Sequence, residues 1–168
     1  MRATTEQVAE ALSFSICELL AKRLKDVSAS TFQQVLAVNE DMATIDKWLE
    51  KSCGLLESAA WRDAQEGWRS NLDRFKAASE ARGRTWDEGM VERTEESIRQ
   101  SVARDHAPLR DRSNLFIMGS QGEYRPLADA WAEVLHDAAM KPVAVRSAWV
   151  ESYLNILVRN GVRVRVER

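Results

Sequence analysis

Apolar positions recur with helical period along most of this chain and switch to period two only near its end. Val8, Leu12, Ile16, Leu20 and Leu24 stand four apart, with Phe14, Cys17 and Leu19 beside them, and predict a first helix over residues 4–27. Thr4 with Gln7 three residues on reads as its capping box. Lys22, Arg23 and Lys25 crowd its last turns, where cations complement the helix dipole. Ser30-Thr31-Phe32-Gln33 is a second capping box. Beyond it Val35, Val38, Met42, Ile45 and Leu49 form a short heptad seam. The brief connection makes these two helices an antiparallel hairpin, docked on a third helix or on a second copy of the chain. Gly54 reads as a bend or break. After it Trp61, Ala64, Trp68, Leu72 and Phe75 mark a third helix over residues 55–82, with Gly83 just past its end. Thr85 and Glu88 form a third capping box, opening a thinly apolar, charge-coated fourth helix to about residue 102.

The character changes over residues 105–126. A weak boundary at 105–112 divides a helical region, 1–104, from a compact C-terminal region, 105–168, although the two can equally form one domain. Leu115-Phe116-Ile117-Met118 is a short apolar run bounded by turn formers and reads as a buried strand. Leu127, Trp131, Val134 and Leu135 form the stripe of one more helix. Trp149, Val150, Tyr153, Leu154 and Leu157 belong to the most apolar helix, 143–159, expected at the centre of the C-terminal core. The tail Val162-Arg163-Val164-Arg165-Val166 alternates valine with arginine, the pattern of a half-buried strand, and residues 115–118 are its natural partner. The expected fold is mainly α: a bundle of about six helices with a two-stranded β element in the C-terminal part.

Composition narrows the class. The 168 residues are 45% apolar and 30% charged, with few prolines and glycines, as in ordinary globular or helical proteins. No run approaches the ~20 apolar residues of a membrane span. Glu6, Glu10 and Glu18 interrupt any signal-peptide core, so a cytoplasmic location without a membrane partner is the expectation. Cys17 and Cys53 read as two buried thiols. The net charge of −2 argues against a generally basic nucleic-acid binder. From Lys141 onward, however, six basic residues face two acids, which leaves −6 on residues 1–140 and a cationic C-terminal pole.

No residue set carries a reaction signature, and no cofactor or enzyme activity is expected. Glu133 and His136 at i, i+3 make half of a carboxylate-bridged two-metal site, but no second copy exists, and Asp129, Glu133 and Asp137 read more simply as a solvated acidic face. Ser120 lacks the Gly-x-Ser-x-Gly elbow. His106 follows Asp105, and adjacent side chains seldom point at each other. Gly119-Ser120-Gln121-Gly122 is followed by Glu123, which would repel a phosphate, so it reads as a turn.

Two functional readings remain. Tryptophans are concentrated at protein interfaces, and the chain has six. The leading reading is a non-catalytic adaptor or assembly subunit, binding a protein partner or a second copy through Trp48, Trp61, Trp68, Trp86 and the terminal strand. The alternative is a nucleic-acid-binding subunit of a nucleoprotein assembly, gripping phosphates with Arg146, Arg159, Arg163, Arg165 and Arg168. The helix order resembles the start of a winged helix, but its last helix is too apolar for a recognition helix.

Overall fold

A computed structural model describes residues 5–164. The fold is mainly α, with six helices and a small antiparallel sheet in its C-terminal part. The first helix, α1, spans Thr5–Lys25. The Thr4 cap lies outside the described residues, as do Arg165 to Arg168. The second, α2, runs unbroken over Thr31–Ser70, capped by Ser30, whose hydroxyl accepts from the Gln33 amide at 3.4 Å.

The break expected at Gly54 does not occur. A Cβ at Gly54 would meet nothing within 4 Å, so no close approach requires glycine there, and its neighbours are good helix formers. The helix ends instead at Asn71, whose side-chain amide donates to the Gly67 carbonyl at 2.8 Å, alongside the Ser70 hydroxyl at 2.9 Å. Side chains competing for that carbonyl disrupt the last turn. A short α3, Leu72–Ala81, follows. Gly83 then adopts φ +72°, and Arg84 N–H closes on the Ser79 carbonyl at 3.1 Å, a left-handed helix stop. The next helix, α4 (Glu88–His106), starts later than its expected capping box: Asp87, not Thr85, accepts the Gly89 amide at 2.9 Å.

Two 3₁₀ turns, Ala107–Arg110 and Arg112–Asn114, lead into β1, Leu115–Met118. The sheet has three strands rather than two, in the order β2-β1-β3. Strand β2, Tyr124–Pro126, follows a five-residue turn and pairs Phe116 with Pro126 and Met118 with Tyr124. The segment is short and ends in proline, which cannot donate to a ladder, so its composition carries no strand signal. The tail does pair as expected: β3, Arg163–Val164, sets Val164 opposite Leu115 and Arg163 opposite Phe116.

The last two helices are α5, Leu127–Met140, and α6, Val143–Asn160. Their roles are the reverse of the expectation. Seven residues of α5 are buried, with Trp131 fully enclosed, whereas α6 buries only Tyr153 and Leu157. The apolar residues of α5 form one stripe, and its alanines let neighbours approach closely. Those of α6 are spread around its circumference, so no orientation can bury them all.

One core joins α1, the first half of α2, β1, α5 and α6, with Ile16, Leu20, Ile45, Leu49, Ile117 and Leu135 among its members. Its polar centre is Asp41, 2% exposed. Asp41 accepts two bonds from Arg23, at 2.9 and 2.8 Å, and one from Trp131 Nε1 at 2.9 Å, which ties α1, α2 and α5 together. The bidentate guanidinium and the indole donor satisfy the buried carboxylate.

Candidate functional site

Beyond Cys53, α2 leaves the core. The remaining residues, 54–70, extend for about 25 Å at 1.5 Å per residue, and α4 returns antiparallel along them. Three contacts fix that register. Arg69 pairs with Glu95 at 3.0 Å, the Arg99 guanidinium lies 4.8 Å from the centre of the Trp61 ring, and Cys53 Sγ donates to the His106 carbonyl at 3.2 Å. The result is a two-helix hairpin projecting from the bundle, with α3 and the Gly83 turn at its far end.

Its seam is only half closed. Trp61, Ala64 and Trp68 face Val91, Thr94 and Ile98, yet none of these is fully buried, and neither α3 nor α4 contains a buried residue. Two helices cannot enclose a core between them, and side chains at such a seam stay half wet until a further helix covers them. Trp68 stacks on Phe75 with centroids 5.3 Å apart, and its indole N–H is buried without an acceptor. Leu55, Phe75 and Met90 are exposed around the hairpin.

Of the four tryptophans expected at an interface, Trp61 and Trp68 share this seam. Trp86 sits half-buried in the connection before α4. Trp48 packs against the main core and belongs to another part of the molecule. The arginines beside the tryptophans do not stack on them: Arg69 is paired with Glu95 and Arg62 bonds to the Ser58 carbonyl at 3.4 Å, while Arg99, from the opposite helix, covers Trp61. That contact was invisible in sequence because 38 residues separate the two side chains.

The root of the hairpin is polar. Arg110 reaches Glu50 at 3.1 Å and Glu57 at 2.7 Å beneath the Cys53 thiol. Burial pushes that thiol up to about 11, against the opposing pull of Arg110. His106 Nδ1 bonds the Val102 carbonyl at 2.8 Å rather than Asp105.

The arginine pole is not gathered. Arg146 lies one turn into α6 and donates to the Ala139 and Lys141 carbonyls at 3.1 and 3.2 Å, capping α5. Arg159 lies thirteen residues further along the same helix, about 20 Å away. It lines a shallow groove of about 600 Å³ with Phe14, Val158 and Arg163. The Arg163 guanidinium covers the Tyr124 ring at 4.1 Å.

Ser120 serves the β1–β2 turn. Its hydroxyl sits between Glu133 Oε1, at 2.8 Å, and Asp137 Oδ2, and Arg125 pairs with Glu133. Burial acts to raise the Glu133 carboxyl, but the bonds from Ser120, Arg125 and the Gln121 amide outweigh it and hold the group below the usual glutamate range. His136 is exposed on the same helix. Among the described residues no group of three or more His, Cys, Asp or Glu side chains is placed to hold a metal ion.

No family model, no curated protein and no solved structure matches this chain.

Proposed function

We propose that the chain is a non-catalytic assembly subunit whose protein contacts are made by the projecting hairpin. The observation that carries this reading is the half-closed seam: Trp61, Trp68, Val91 and Ile98 are ordered along two facing helices without any of them being fully buried. Large aromatic side chains contribute most when fully desolvated, so a covering helix from a partner has much to gain there. Mixed charge along the hairpin, with Arg62, Asp63, Glu66, Glu92 and Arg93 all exposed, suits a rim that sets register around an apolar centre. No helix among the described residues is long and apolar enough to cross a membrane.

The test uses substitutions on exposed side chains, which leave the fold in place. Leu55→Ser, Phe75→Ser and Met90→Ser together should reduce the mass of the complex the chain forms in solution, measured by light scattering after co-purification. A complex of unchanged mass and composition would move the interface elsewhere. The nucleic-acid alternative keeps Arg159 and Arg163, which share one groove, while Arg146 lies apart from them. A salt titration against oligonucleotides addresses it directly.

A further inference from the structure

The helices of the core meet at one end of the molecule, opposite the hairpin. Asp41 bonds Trp131, and Asp46 shares a groove with Leu127, so α2 and α5 run antiparallel and Phe32 stands level with Met140. Lys25 and Arg146 line one groove, and Ser13 bonds the Val162 amide at 3.1 Å, so α1 and α6 are likewise antiparallel. The end of α1, the start of α2, the end of α5 and the start of α6 therefore share this pole. So do the two connections at residues 26–30 and 141–142.

The pole is apolar where solvent should favour polar side chains. Val143 is 80% exposed, Met140 71% and Phe32 69%, with Val35, Leu36 and Val145 also exposed beside them. These six are half of the large exposed hydrophobic side chains described in the chain, brought to one end by three helix termini. Cations share the same end. Lys22 and Lys25 are exposed on the last turn of α1. Lys141 follows α5, its ammonium 5.5 Å from the Trp149 ring, and Arg146 folds back over the same connection. Neither α2 nor α6 has an acid in its first turn. The nearby acids are Asp26, exposed, and Asp137, held by Ser120 and Gln121; about two turns further in lie Glu151, in the groove with Lys25 and Arg146, and Glu40, paired with Arg23 at 3.5 Å.

We propose that this pole docks on the surface of an anionic lipid bilayer. Charge complementarity selects the occupant. Protein interfaces are depleted in lysine, whereas aliphatic and aromatic side chains projecting through a ring of lysines match an acidic headgroup layer over acyl chains. Three helix ends present these side chains as knobs, which enter a fluid interface without a shaped counterpart. The docking is peripheral. The lack of a spanning helix among the described residues leaves it untouched.

The experiment is co-sedimentation of the full chain with phosphatidylcholine vesicles, with and without phosphatidylglycerol. Binding is expected to the mixed vesicles, weaker to phosphatidylcholine alone, and to fall as salt rises. Phe32→Ser with Val143→Ser should lower the apparent affinity about tenfold or more, and so should Lys25→Glu with Lys141→Glu. All four side chains lie at the surface or at helix ends, and an unchanged circular dichroism spectrum certifies the fold. No sedimentation with mixed vesicles overturns the proposal, as does binding that survives both pairs of substitutions. Loss of a protein complex in these variants, without vesicle binding in the parent, assigns the pole to a protein instead. None of these outcomes depends on what covers the hairpin.

Discussion

Asp41 is the residue on which the core turns. An acid on the apolar seam between Val38 and Met42 needs a partner, and that mismatch was the one sign of it in the sequence. Its partners, Arg23 and Trp131, lie 18 and 90 residues away, too far for any local pattern to name them. Asp41→Ala leaves a buried indole N–H without its acceptor and the Arg23 guanidinium with only Glu40, at 3.5 Å. It is expected to cost about 3 kcal/mol in denaturant unfolding. Trp131→Phe, which removes the donor and opens a cavity where the indole's second ring sat, should cost about 2–4 kcal/mol. Trp149→Ala, at a half-buried position, should cost less than half of Trp131→Ala. The thiols give a second residue-scale test. Cys53 is fully enclosed and its pKa is raised to about 11 by burial, so the reactive thiolate is scarce at neutral pH. Ellman's reagent should label it only on unfolding; rapid labelling of the native chain would place it at an open joint.

At the scale of elements, periodicity and caps carried most of what could be read. Ser30 caps α2 and Gly83 stops the helical run before α4, as their positions in the pattern implied. The tail found β1 because alternation with a half-buried face demands a neighbour. Three elements were misjudged for physical reasons. Gly54 weakens a helix by only about 1 kcal/mol, which forty residues of favourable neighbours absorb. Strand β2 is three residues long and defined by its partner rather than by its own composition. Helix α6 carries more large apolar side chains than α5, but they are not aligned on one face. Since nothing crowds Gly54 or Gly67, changing either to Ala should raise stability by roughly 0.5–1 kcal/mol. A drop in melting temperature for Gly54→Ala would mean that the helix bends there in solution. The half-closed seam of the hairpin was legible only as a stripe of tryptophans; that it stays half-exposed is a property of three dimensions.

At the scale of the whole molecule, burial is unevenly shared. The bundle contains nearly all fully enclosed side chains, and the hairpin contains none beyond Cys53 until Leu109. Local opening follows buried contact, so amides of residues 54–106 should exchange with deuterium well before those of α5 and β1 in the isolated chain. Equal protection across both would show the seam to be tighter than its exposure implies. Because α2 is one helix of forty residues, it crosses from bundle to hairpin without a joint, spanning about 60 Å. Such a strut behaves as a lever. Any tilt imposed at its rooted end reappears, magnified by its length, as a sweep of the Gly83 tip, and whatever grips that tip is held at a set bearing from whatever grips the bundle.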